Sequence, residues 1–177
     1  NVFDVPARFF YMTATMLGVP ADGYHRFTGG AATMRVKAAG LVPVQAAGGN
    51  EMTQAETVTL FNDMCLMAPA TLLDPAIRWE PIDDSRVAAR FTHGSHTIRA
   101  ELVFDAAGRL VDFWSDDRRQ IAGDGRSLPV RWSTPVREFR TFGPTRLMHR
   151  GEARWHEAGG DYPYIELELE DVQYNVR

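Results

Sequence analysis

Residues 53–73 read TQAETVTLFNDMCLMAPATLL, and this stretch decides the fold. Elsewhere the chain alternates and breaks in the manner of short β-strands. Here alone the apolar residues recur at helical spacing. Leu60, Phe61, Met64, Met67 and Ala68 fall on one side, because residues three and four apart share a helix face. Thr59, Asn62 and Asp63 leave only a narrow polar strip. A helix that is apolar around most of its circumference is expected to be largely buried. Thr53, with Glu56 three residues on, has the form of a capping box and places the helix start at Thr53. Pro69 either ends the helix or opens a new turn that runs to Leu73 before Asp74-Pro75. Two methionines and a phenylalanine on one face could be plain core, or could line an adaptable pocket. Cys65, the single cysteine, cannot form an internal disulfide and reads as a small buried hydrophobe.

The 177 residues, with 45% hydrophobic and 24% charged content, suit one globular domain spanning 1–177. Net charge is −4 with no Lys/Arg cluster along the chain, which argues against a nucleic-acid partner. Lys37 is the only lysine, so arginine carries the positive charge, a bias that fits a GC-rich bacterial genome. No run of about 20 apolar residues is present. The chain starts at Asn1 without an initiator Met or a signal peptide, so an N-terminal part of a longer protein is expected to precede it. The cell envelope and the cytoplasm of a bacterium both remain open, as does membrane association of the full-length protein.

Strands are expected at Ala7–Met16, Tyr24–Phe27, Thr33–Lys37 and Leu41–Ala46 before the helix. After it, the clearest piece is a meander from Arg86 to Asp117. Gly94-Ser95 at its first turn is a type II′ hairpin signature. That register pairs His93 with His96, Phe91 with Ile98, Ala89 with Ala100 and Val87 with Leu102. One face is then apolar, and a one-residue slip would invert it. The next turn, Asp105–Arg109, carries a left-handed Gly108 and pairs Phe104 with Leu110. Continued without interruption, it sets Leu102 against Asp112, Ala100 against Trp114 and Ile98 against Asp116. Trp114 would join the apolar face, but so would two carboxylates that do not belong in a dry core. Either a bulge flips this strand, or that face is partly solvated. Further strands are expected at Trp132–Phe139 and in a hairpin of Thr145–His156 with Pro163–Tyr174. The alternation Ile165, Leu167, Leu169 against Glu166, Glu168, Glu170 leaves one face wet, and a change of phase after Asp171 suggests a bulge. The sum is a mainly β protein: a large curved antiparallel sheet with the helix on its concave face.

Several segments resemble a bacterial family of unknown function in content and order: GLVPV (Gly40–Val44), IRWEPIDD (Ile77–Asp84), ELVFDAAGRLVDF (Glu101–Phe113), GEARWH (Gly151–His156) and LEDVQYN (Leu169–Asn175). The resemblance covers about Ala7 to Asn175. It implies an arrangement similar to the half-barrel of bacterial lipoprotein carriers, in which a helix plugs an apolar concavity. It supplies no catalytic residues, and a shared fold would not fix function.

His93 and His96, flanking a two-residue turn, could share a metal with Asp112 or Asp116. An exposed pair of turn-flanking histidines is the plainer reading, so no metal is expected there. Asp116 and Asp117, adjacent on a strand, point to opposite faces and cannot act as a facing acid–base pair. Asp83-Asp84 reads as a turn. Gly29-Gly30 and Gly48-Gly49 lack the pattern of a phosphate-binding loop, so no cofactor is expected. Ser133 and the other serines lack a nucleophile elbow, and the four tryptophans read as core. Three functions remain. The first is a binding or carrier domain for an apolar or lipid-like molecule, lined by Phe61, Met64, Met67, Phe91, Ile98, Leu102 and Trp114. The second is a hydrolase-like or metal-dependent enzyme with a site near His93, His96, Asp112 and Asp116. The third is a structural module that pairs through a sheet edge.

Overall fold

A computed structural model of the chain describes residues 1–2, 6–16, 18–121 and 126–176. It is mainly β, with antiparallel pairing throughout and one α-helix. Four strands precede the helix: β1 (Arg8–Met16), β2 (Val19–Thr28), β3 (Ala31–Ala38) and β4 (Val42–Gly48). They form a meander of their own, joined in sequence order. The β2–β3 turn is Gly29-Gly30, both at positive φ, which is what a two-residue hairpin with a primed turn requires.

The helix α1 spans Asn50–Met67, and a 3-10 turn follows at Pro69–Leu73. Its cap is not the predicted capping box. The N-cap is Gly49 at φ 90, and the helix starts three residues before Thr53. The Thr53 hydroxyl therefore lies inside the first turn. It donates to the Gly49 carbonyl at 2.9 Å and accepts from the Ala32 amide at 3.1 Å, stitching β3 to the helix. Glu56 faces away from the helix end and makes a buried ion pair instead.

The second sheet contains β5 (Ile77–Pro81), β6 (Arg86–His93), β7 (His96–Phe104), β8 (Leu110–Ser115), β11 (Arg131–Ser133), β12 (Val136–Phe142) and β13 (Thr145–Glu157). Its order is β12-β13-β11-β8-β7-β6-β5, with β14 (Gly160–Glu168) also paired to the long β13. The short strands β9 (Gln120–Ile121) and β10 (Ser127–Leu128) pair only with each other. Pro135 divides the expected Trp132–Phe139 strand into β11 and β12, since proline cannot donate to a ladder. The last strand stops at Glu168, so no bulge follows Asp171; the irregularity lies between Ala153 and Arg154 of β13. Beyond it the chain turns back, and the Tyr174 hydroxyl donates to the Met67 carbonyl at the helix end.

The helix touches β3 and β4 on one side and β7, β8 and β13 on the other, so it lies between the two sheets. This is why it is apolar almost all round. Val58, Leu60 and Phe61 are fully buried, and the Phe61 ring stacks on Phe91 at 5.2 Å and meets Phe113 edge-on at 5.8 Å.

The hairpin register His93–His96, Phe91–Ile98, Ala89–Ala100 and Val87–Leu102 is as expected, with Gly94 at φ 59 supplying the turn. Phe104 also pairs with Leu110, but a bulge between Val103 and Phe104 then shifts β8 by one residue. Leu102 faces Phe113, Val103 faces Asp112, and Glu101 faces Trp114. The uninterrupted pairings Leu102–Asp112, Ala100–Trp114 and Ile98–Asp116 are thus corrected. Phe113 enters the core with no exposed surface, while Asp112 and Trp114 turn to the outer face. The bulge keeps the carboxylates out of a site where they would lack partners. Phe113→Ala should cost about 3–5 kcal/mol as a large-to-small core change. Trp114→Ala should cost markedly less in the same urea titration, and equal losses would contradict the shifted register.

Candidate functional site

Three regions gather the chemistry-bearing side chains, and α1 is central to two of them. On its apolar side Phe61, Met64, Phe91, Ile98 and Leu102 come together as expected, and all five are buried. They fill the space between helix and second sheet with their own side chains. Met67 lies apart from them, half-buried beside Leu66, Val136 and Met148. Trp114 lies on the far face of the sheet. What opens next to this core is a small cleft of about 130 Å³, lined among others by Leu60, Met64, Ala76, Phe91 and His93. Cys65 packs here too, and burial pushes its thiol up, so it stays protonated.

The polar strip of α1 faces a buried charged network that the sequence did not announce. Arg8 of β1 donates from Nε to Asp63 at 2.7 Å and from Nη1 to Glu56 at 2.8 Å. His25 of β2 lies 3.3 Å from the other Glu56 oxygen, and Asn1 also donates to Asp63. Burial alone would push the Glu56 carboxyl up. The His25 hydrogen bond and the charges of Arg8 and Arg118 outweigh it and hold Glu56 below the ordinary carboxylate value. Burial would likewise pull the Arg8 guanidinium down, but Asp63 and Glu56 more than offset it. Arg118 approaches from the opposite side. It lies over the Trp132 ring at 4.6 Å and donates to Tyr164 at 3.1 Å and to Thr59 at 3.3 Å. Asn62 donates to Thr134 at 2.6 Å. Thr59, Asn62 and Asp63 were visible as a strip; Arg8, His25 and Arg118 were not, because their partners are 31 or more residues away.

The third region is the outer face of the second sheet. Here Asp112 accepts from the Trp114 indole at 2.6 Å, and burial, only partly opposed by that bond, raises its pKa. Asp116 takes both branches of Arg131 at 2.8 and 2.7 Å, which holds it low. His93 and His96 are on the other face, at the hairpin tip, with His93 edge-on to Phe27 at 5.2 Å. Burial and the neighbouring His96 pull the His93 pKa down. The four residues of the enzyme reading are therefore split across the sheet. Among the described residues no three His, Cys, Asp or Glu side chains are grouped to hold a metal. A different trio does meet. His156 Nε2 lies 2.9 Å from the Ser133 hydroxyl, and Nδ1 lies 2.8 Å from Asp161. The order is that of a catalytic triad, but Ser133 has no exposed surface, and a nucleophile must be reachable by its substrate. The trio works as a cross-strand polar clamp joining β11, β13 and β14.

This chain of two antiparallel sheets about one helix belongs to the family of unknown function DUF6544, whose model matches residues 1–167. No curated protein and no solved structure matches it.

Arg8→Met leaves two buried carboxylates without their cation and should destabilise the fold by about 3–5 kcal/mol. Because Glu56 is held low, its contribution is complete above its ordinary value of 4.5 and is lost as pH falls through the lower folded value. Between about pH 5 and pH 3 the wild type should therefore lose more stability than Arg8→Met. Parallel slopes in denaturant melts across that range would show that the pair does not set the pH dependence.

Proposed function

We propose that the domain binds or carries an apolar or lipid-like molecule, with the first sheet as its contact. What supports this reading is a surplus of apolar surface on β1, where Phe9, Phe10, Tyr11 and Met12 are 38–63% exposed. The helix covers the Arg8, Phe27 and Ala32 end of that sheet's inner face. Further along, the same face carries Phe10 beside His25 and Met12 across Gly23 from Val36. A Cβ on Gly23 would lie 2.6 Å from the Met12 methyl, so glycine is what lets this side chain fold over the sheet. Leu41, Val42 and Val44 at the opposite edge are more than half exposed as well. Apolar patches of this kind mark interaction or ligand-binding surfaces, and a thioether is well suited to an occupant of variable shape.

The buried set Phe61, Met64, Phe91, Ile98 and Leu102 lies between the helix and the second sheet, apart from this surface. Two variants separate the places. Met12→Asp should weaken binding of a fluorescent fatty-acid probe about tenfold or more while leaving the melting temperature almost unchanged. Met64→Trp should cost about 1–3 kcal/mol of stability as overpacking. Wild-type protein that takes up no probe would sink the proposal. Loss of probe only with Met64→Trp would move the site to the space under the helix.

A further inference from the structure

We infer that the concavity on the outer face of β7, β8 and β11 binds a small zwitterion of the α-amino-acid type, with its carboxylate on Arg99 and its ammonium on Glu101. Arg99 and Glu101 are two residues apart on β7. They therefore stand on one face, about 7 Å apart along the strand. Trp114 is the direct neighbour of Glu101 on β8, and Arg131 of β11 closes the side beyond it. The space between these side chains is about 210 Å³. Sites for drug-sized ligands start at about 300 Å³, so the occupant is smaller, of the order of a free amino acid.

Most of the wall is already bound to itself. Asp116 takes both branches of Arg131 at 2.8 and 2.7 Å, and Arg131 lies over the Trp114 ring at 5.5 Å. Asp112 holds the indole N–H at 2.6 Å. Asp117 accepts from the Arg99 backbone amide at 2.6 Å, and the Ser115 hydroxyl donates to the Arg99 carbonyl at 2.7 Å. Two groups are left over, and they have opposite sign. Among the described residues no hydrogen bond or ion pair engages the Arg99 guanidinium. Glu101 accepts no hydrogen bond among them, and Arg86 approaches it only to 3.9 Å because Arg86 is committed to Asp83 at 2.8 Å.

A bare anion at Arg99 would meet the carboxylates of Glu101, Asp116 and Asp117 in a concavity with only two arginines. A bare cation at Glu101 would leave the Arg99 guanidinium unmatched. A molecule carrying both charges on one carbon answers both ends, with a charge-assisted hydrogen bond at each. Its side chain then falls beside the fixed indole of Trp114, an apolar surface. Walls that are already held need no ordering on binding, which lowers its cost. The inference stands apart from ligand uptake by the first sheet, since the two surfaces share no residue.

Saturation-transfer NMR with each free L-amino acid, followed by calorimetry of the best binder, tests it. At least one free amino acid should bind with Kd below about 10 mM. Its N-acetyl form keeps the carboxylate and its amide keeps the ammonium; each should bind about tenfold or more weakly, the loss expected for one hydrogen bond to a charged group. These blocked ligands probe both contacts in unaltered protein. Arg99→Gln and Glu101→Gln should each weaken binding of the free amino acid about tenfold, with melting temperatures close to the wild type. Arg78→Gln, on the same face but outside the concavity, should bind as the wild type does. Three results would overturn the inference: no free amino acid bound at about 10 mM, a blocked form that binds as well as the free one, or folded Arg99→Gln and Glu101→Gln proteins that bind with wild-type affinity.

Discussion

Arg8 holds two carboxylates of one helix, Glu56 and Asp63, from the first full strand of the chain. The two acids are seven residues apart, two turns on the same helix face. One planar guanidinium with several donors can reach both, which a lysine could not do with fixed geometry. The pair is buried and carries two negative charges against one positive, so its net worth to stability is modest at best. What it supplies is position. It sets β1 over the helix at a defined register, and His25 and Asn1 complete it from the same side. The Thr53 hydroxyl does the same for β3. Without these polar ties the first sheet would meet the helix through Phe27, Ala32 and little else that is fully buried.

Two sheets sharing one helix explain the character of that helix. A helix on the face of one sheet shows an apolar stripe and a wet back. This one has no wet back. Its apolar side meets Phe91, Ile98 and Phe113, and its polar strip meets Arg8, Arg118 and Thr134. The polar groups along the strip find their partners from both sheets, as burial of such groups requires. Arg118 lies over the rings of Trp132 and Trp155, so even the gap on that side is filled.

The architecture was readable where the signal was local. Hairpin turns with Gly29-Gly30 and Gly94-Ser95, and the alternation between Val87 and Leu102, set strands and register from neighbours in sequence. The phase of β8 was half readable: two carboxylates on a core face required a bulge or water, and the choice rests on packing from distant strands. The start of the helix was misread because a capping-box spelling at Thr53–Glu56 has other uses. Thr53 bonds back to Gly49, and Glu56 binds a cation 48 residues away. The division into two sheets was not readable at all, since nothing between β4 and β5 but the helix itself separates them in the chain. The same limit hid the juxtaposition of Arg78, Arg90 and Arg99 on neighbouring strands. No cluster exists along the sequence, because Arg78, Arg90 and Arg99 are brought side by side only by two hairpins.

The packed interior and the unsatisfied exterior belong together. Phe61, Phe91 and Phe113 fill the middle of the space beneath the helix and leave a small cleft at its edge, while the apolar residues of β1 and β4 stay exposed. They lie on a four-stranded sheet whose edge strands β1 and β4 have no further strand partner among the described residues. The helix and Arg8 anchor one end of it. The Phe10 ring lies against Arg8 and His25 at that end, whereas Met12, further along the strand, folds over Gly23 clear of the network. Rigidity near Arg8 and exposure near Met12 are thus two halves of one arrangement, since the charged ties that fix the sheet reach only the rows of Arg8 and His25.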